Sequence, residues 1–211
     1  MKKTLCFVCT LVWALAAFAQ TGIEIVNRMN ETLKDHDSEG VSMYIDIKIP
    51  IVGVVSTRTM HLGDKTRMEF EVSDNKVIVF MEDTIQWIYL PQKNEVAITS
   101  SAQMNISNPA ADSGMDIGMF DDISEGYDIS IKSENLVKWE LICKKKRSNP
   151  DKDAPKNISL VVRKDSYNPI SLSTKMMGVT CTMRDFTFGI TEKDVTFNEA
   201  DYPGVTISDQ R

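Results

Sequence analysis

Large apolar side chains recur at every second position along most of this 211-residue chain. Met43, Ile45, Ile47 and Ile49 alternate with Ser42, Tyr44, Asp46 and Lys48. Met68, Phe70 and Val72 alternate with Arg67, Glu69 and Glu71. Val137, Trp139, Leu141 and Cys143 alternate with Lys138, Glu140 and Lys144. Successive side chains on a strand point to opposite faces, so each run makes one apolar and one polar face. The pattern predicts strands over 41–49, 54–62, 66–72, 76–82, 85–90 and 95–99, and again over 127–133, 136–145, 157–163, 169–176 and 178–188. A short final piece covers 195–197, and a tail runs to Arg211. Gly53, Gly63-Asp64, Asp74-Asn75, Glu82-Asp83 and the stretch Pro91 to Asn94 supply the early turns.

Two segments break this rhythm. Ile25, Val26, Met29 and Leu33 fall at helical spacing and predict a helix from Gly22 to Asp35. Thr21 is the candidate N-cap, and Glu24 three residues later completes a capping box. The stretch from Ser101 to Gly126 mixes Pro109, Gly114 and Gly118 with Met104, Met115, Met119 and Phe120 among polar residues. Insertions this long are uncommon and often functional. A short helix is expected near 116–123. The fold class is therefore α+β: an early helix, one long antiparallel sheet and a large insertion.

Residues 1–19 read as a cleaved secretory signal. Lys2 and Lys3 precede an apolar stretch from Leu5 to Phe18, and Ala17-Phe18-Ala19 has the small-x-small form of a cleavage site. Cys6 and Cys9 lie too early in that stretch to serve as a lipidated first residue of the mature chain. An exported protein beginning near Gln20 is expected, and residues 20–211 are read as a single domain. Losing Lys2 and Lys3 takes the formal net charge from −6 to −8. An acidic chain is poorly suited to nucleic acid, which needs a basic surface. Cys143 and Cys181 would remain after cleavage, and spacing leaves a bridge and two free thiols equally open.

Chemistry beyond binding is weakly signalled. His36 and His61 have no partner at metal-ligand spacing, and no nucleophile elbow or phosphate loop is present. No cofactor, no metal and no catalytic group are expected. Methionine is the more informative type. The chain has 12, of which Met1 would leave with the signal. Most others fall on apolar strand faces or in the insertion, and methionine suits irregular, adaptable apolar surfaces.

The order of these segments resembles the LolA family of periplasmic lipoprotein carriers and related lipoprotein-sorting proteins. The likeness runs from the early helix through Lys65-Thr-Arg-Met-Glu-Phe and Ile85-Gln-Trp-Ile-Tyr-Leu-Pro. It continues in Gly126-Tyr-Asp-Ile-Ser-Ile-Lys, Trp139-Glu-Leu and the tail from Phe197 to Arg211. The resemblance implies an unclosed antiparallel β half-barrel with helices forming a lid over an apolar cavity. It implies a non-enzymatic carrier of lipoprotein acyl chains or other lipids, moving them through the periplasm of a Gram-negative bacterium to the outer membrane. Its partners would be an inner-membrane releasing complex and an outer-membrane receptor, and it would act as a monomer. A lipid-sensing interaction or regulatory module on the same fold is the alternative.

The residues expected to line the cavity are Met43, Ile45, Ile47, Met68, Phe70, Trp87, Tyr89, Trp139 and Leu141, with Met104, Met115, Met119 and Phe120 in the lid. The chain departs from the family at the gating Arg–His pair. The corresponding places fall at Gly63 to Lys65 and near Ile170, with Arg67 only a neighbour of the first. Energy-coupled handover is not implied here.

Overall fold

The computed structural model describes residues 20–51, 53–72, 74–100, 121–176 and 178–211. The expected signal segment and the insertion residues Met104, Met115, Met119 and Phe120 lie outside them.

The capping box forms as the sequence predicts. The Glu24 amide donates to the Thr21 hydroxyl at 3.3 Å, and the Thr21 amide donates to the Glu24 carboxylate at 2.8 Å. It starts helix α1, Gly22–Asp35, whose bounds match the expected helix. The stripe Ile25, Val26, Met29 and Leu33 is fully buried. Burial of such side chains contributes about 1.5–3 kcal/mol each, so packing rather than propensity holds α1 in place. Gly22 sits at the closest approach. A Cβ there would lie 2.9 Å from Ile129 Cγ2 and 3.1 Å from the Ile129 carbonyl oxygen.

The first six strands are β1 (Val41–Ile49), β2 (Gly53–Leu62), β3 (Lys65–Val72), β4 (Asn75–Glu82), β5 (Ile85–Leu90) and β6 (Glu95–Ser100). Helix α2, Asp121–Gly126, overlaps the expected short helix at 121–123 and runs three residues beyond it. The chain then runs through β7 (Tyr127–Glu134), β8 (Lys138–Lys145), β9 (Asn157–Arg163), β10 (Pro169–Met176) and β11 (Val179–Phe188). The piece expected at 195–197 is not a strand. A short helix α3, Glu192–Val195, precedes it, capped by Thr191 and Asp194. The tail adds a strand the alternation did not predict, β12 (Thr206–Asp209).

These strands form one sheet in the order β12-β6-β5-β4-β3-β2-β1-β11-β10-β9-β8-β7. All pairings are antiparallel except β12 with β6. The two ends of the order do not meet, so the sheet is open. Hairpins build each half, and β1 with β11 joins them. Across that seam Arg184 Nε donates to Asp46 at 2.6 Å, and the guanidinium lies 4.8 Å from the Tyr44 ring centroid.

Helices α1 and α2 cover one face, here the inner face, over β7 to β11. Ile25, Val26, Met29 and Leu33 pack with Ile123, Tyr127, Trp139, Leu141, Cys143, Ile158, Leu160, Val162 and Leu172. The packing reaches β1 through Met183, Phe186 and Phe188 against Val41, Met43 and Ile45. Among the described residues, neither cluster reaches β2 to β6.

The two thiols are free. Register places them in one row, Cys143–Ile158–Thr174–Cys181, with β9 and β10 between them. Three inter-strand steps separate them by roughly 14 Å, far beyond the 4–7 Å Cα separation a disulfide requires.

Candidate functional site

Cross-strand register decides which side chains share the inner face. Met43 opposes Thr59, Thr59 opposes Met68, Met68 opposes Val79, Val79 opposes Ile88 and Ile88 opposes Ala97. This apolar row crosses β1 to β6 on the side that α1 occupies farther along the sheet. A second row on the same face runs Val41, His61, Thr66, Met81, Gln86 and Thr99. A third begins with Ile45, Thr57, Phe70 and Val77. Pairs directly opposite have Cβ atoms about 5 Å apart, so the rows make a continuous wall.

Of the expected cavity residues, Met43, Ile45, Met68 and Phe70 stand together on this wall. Ile47 shares their face but lies near the rim, where it is exposed. Trp139 and Leu141 share the face too, but in its other half. There they are packed beneath α1 rather than facing an open hollow. The Trp139 ring stacks on Tyr167 at 5.4 Å. The physical reason is the α1 stripe, whose four buried side chains fill that half of the wall.

Trp87 and Tyr89 do not join the inner wall. Trp87 opposes Phe80, and Tyr89 opposes Ile78 and Val96, on the outer face. The C-terminal segment covers them. Phe197 stacks on Tyr202 at 5.3 Å and meets Phe80 edge-on at 5.8 Å, while Tyr89 lies 4.5 Å from the Tyr202 ring. Arg67 belongs to the same layer. Its guanidinium lies 5.1 Å from the Phe80 ring, donates to the Asp194 carbonyl at 3.2 Å and pairs with Glu69 at 2.6 Å. Lys65 holds α3 through an ion pair with Glu192 at 2.5 Å. Around Gly63 to Lys65, then, the cations Lys65 and Arg67 anchor the tail segment on the outer face.

Sequence reading missed the inner-wall residues Thr59, Thr66, Val79, Met81, Gln86, Ile88, Ala97 and Thr99. One signal was present. Residues 77–81 (Val-Ile-Val-Phe-Met) do not alternate at all. Such a run marks a strand buried on both faces, and Ile78, Val79, Phe80 and Met81 are all buried. On β5 the aromatic pair Trp87 and Tyr89 drew the assignment of the apolar face, which turned Gln86 and Ile88 the wrong way.

On the described strands β2 to β6, charge lies mainly on the outer face and the rim. On the inner-face rows of β2 to β6 the charged or titratable side chains are His61 and, at the exposed end of β6, Glu95. A cleft of about 850 Å³ on the outer side is lined by Tyr44, Ser56, Arg58, Glu69 and Lys76 among others. Burial pushes the Glu69 carboxyl up, but Lys76 and Arg67 outweigh it and leave its pKa below the usual range. Among the described residues no group of three or more His, Cys, Asp or Glu side chains could hold a metal.

Three hairpin ends, between β1 and β2, β3 and β4, and β10 and β11, lie along one rim. Ile51, Val54, Val55, Val72 and Met176 are exposed there.

No family model matches the sequence, and no curated protein matches it. Solved structures do. LprF from Mycobacterium bovis superposes with a TM-score of 0.51 at 8% identity, covering 82% of this chain and 96% of that one. A LolA superfamily protein from Nitrosomonas europaea gives a TM-score of 0.33 at 10% identity, covering 86% and 100%. The MucA/MucB complex of Pseudomonas aeruginosa gives 0.46 at 10% identity, covering 84% of this chain and 61% of that one. Identities this low speak to fold alone. With its open sheet, its inner helix α1 and the alignment over almost the whole of LprF, the chain shares the fold of LprF, an open and mostly antiparallel sheet with a helix packed on one face.

Proposed function

We propose that this protein is an exported, non-enzymatic carrier. It would hold the acyl chains of lipoproteins or other lipids against the inner wall of β1 to β6 and move them through the periplasm to the outer membrane. The observation that carries this reading is the division of the inner face. One half is filled by α1. On the other, Met43, Ile45, Met68, Val79 and Ile88 stand in contiguous rows, and among the described residues neither packed cluster extends across them beyond β1. Transfer of acyl chains out of water onto such a wall is worth about 0.8 kcal/mol per buried CH₂. Methionines at positions 43, 68 and 81 suit a wall that must accept chains loosely and release them. Met104, Met115, Met119 and Phe120 would close over the guest.

The test is native mass spectrometry of the gently purified protein, with and without an added diacylated lipopeptide. Retention or uptake of an acylated species supports the carrier. A protein that retains none and takes up none is not one.

A lipid-sensing interaction module is the second reading, favoured by the apolar rim at Ile51, Val54, Val55, Val72 and Met176. Exposed apolar clusters of this kind mark contact sites for proteins or membranes. This reading predicts a stable complex in pull-downs and no lipid transfer between membranes.

A further inference from the structure

The sheet forks between β2 and β3. From the turn at Gly63 the two strands pair as far as Arg58 with Glu69, and their pairing stops there. Both strands run on. β2 keeps its partners on β1 up to Gly53 with Ile49, and β3 keeps its partners on β4 up to Val72 with Asn75. The cleft of about 850 Å³ lies in this fork. Val55 and Phe70, which register assigns to the inner face, line it together with Ser56, Arg58 and Glu71 from the outer face. It therefore reaches between the strands and is not a dent in one face.

Alternate residues of an antiparallel strand point their backbone N–H and C=O groups to opposite sides. Part of 53–57 on one bank and part of 70–72 on the other thus turn backbone groups into the fork. Among the described residues none of these groups finds a backbone partner across it. Unpaired strand edges recruit other strands, and proteins normally cover or blunt them. Here two such edges face one space. An extended residue advances about 3.3 Å, takes about 4.8 Å between strands and about 10 Å through the sheet, hence roughly 160 Å³. The cleft has room for about five such residues, which matches the unpaired run 53–57 of β2.

The two faces of the fork state what an inserted segment must carry. Val55 and Phe70 call for apolar side chains toward the inner wall. On the outer side Glu69 is taken by Arg67 and Lys76. Arg58 is exposed and has no ion pair among the described residues, so an acidic side chain fits beside it.

We propose that the fork between β2 and β3 is a docking site for an extended segment of a partner polypeptide, which enters as an added strand between them. The segment alternates apolar with polar residues and carries a carboxylate toward Arg58. Backbone hydrogen bonds on both edges supply the affinity, and the alternating side chains supply the choice of partner. The inference goes beyond the carrier reading and does not depend on it.

Hydrogen exchange read by NMR on the free protein is the first test. Alternate amides of 53–57 and 70–72 should exchange rapidly while their neighbours, bonded to β1 and β4, stay protected. Uniform protection, in a monomer or in a dimer that covers the fork, overturns the proposal. The second test adds a synthetic seven-residue peptide, Thr-Val-Glu-Val-Thr-Val-Thr, and the same peptide with Lys in place of Glu. The Glu peptide should protect the rapid amides and bind about threefold tighter than the Lys peptide, and Arg58→Ala should bring the two within about twofold of each other. An inserted strand uses both of its edges. N-methylation of either alternate set of peptide amides should therefore weaken binding roughly tenfold or more. Loss on N-methylating one set alone would mean addition at an outer edge such as β7 or β12, and would overturn the proposal. So would failure of both peptides to bind.

Discussion

The Trp87 indole stacks on the Phe197 ring, with centroids 6.3 Å apart and planes 22° apart. This contact fixes the C-terminal segment on the outer face of the sheet, opposite the wall that bears Met68. Phe197 also meets Phe80 and Tyr202, so it is the hub of the layer. Phe197→Ala should cost about 3 kcal/mol of stability, read by urea unfolding. The variant that still folds should retain acylated ligand as wild type does. Lost ligand with unchanged stability would place the aromatic layer in the binding site instead.

Cys143 and Cys181 should stay unbridged in an oxidising buffer. Burial pushes the Cys143 thiol up to about 11, and burial raises Cys181 as well. A raised thiol pKa leaves little thiolate to react. Native protein at pH 8 should therefore label slowly with a thiol reagent, and both cysteines should label rapidly in urea. Melting temperatures with and without reductant should agree. A reductant-dependent melting temperature would mean that the two strands between the cysteines are not in place.

Ile51 occupies the tip of the β1–β2 hairpin with φ of +73°, and its side chain is fully exposed. A β-branched residue is strained in that conformation, and no burial offsets the strain. Ile51→Gly should stabilise the protein by about 1 kcal/mol. Unchanged or lower stability would show that Ile51 makes a contact on the rim.

The Asp46 carboxyl is held below its ordinary range, first by the hydrogen bond from Arg184, with the Ser56 hydroxyl adding to it against the opposing effect of burial. A group whose folded pKa is depressed contributes stability above its unfolded pKa, and that contribution is lost as pH falls through the folded value. Asp46→Asn should therefore cost about 1–2 kcal/mol at pH 7. The gap between variant and wild type should shrink as pH drops below about 4, near the unfolded carboxylate pKa. Urea titrations from pH 7 to pH 3 check it. A gap that is constant with pH would mean that the β1–β11 seam does not depend on the Asp46 charge.

The local elements were legible because their causes are local. The Thr21–Glu24 box and the stripe from Ile25 to Leu33 lie within a few turns of each other, and α1 forms over the expected residues. Alternation and turn residues placed the hairpins of β1 to β6 and β7 to β11 to within a residue or two. These signals need no knowledge of what lies across the sheet.

The faces were legible only where one side of a strand meets water. On β1 and β3 the alternation put Met43, Ile45, Met68 and Phe70 on one face, and the strand register does the same. On β4 and β5 both faces are covered, so alternation fades and the aromatic residues pointed to the wrong side. What covered the second face was the tail, more than a hundred residues away in sequence, through Phe197 and Tyr202.

Periodicity and capping act over a few residues, so an α+β chain, the helix α1, the strand lengths and a large apolar face could be read along the chain alone. Tertiary structure decided that α1 fills the β7–β11 half of that face, that Trp87 and Tyr89 turn outward, and that Thr59, Gln86 and Thr99 turn inward. Those outcomes depend on which distant segment removes each face from water, and no local pattern encodes that choice.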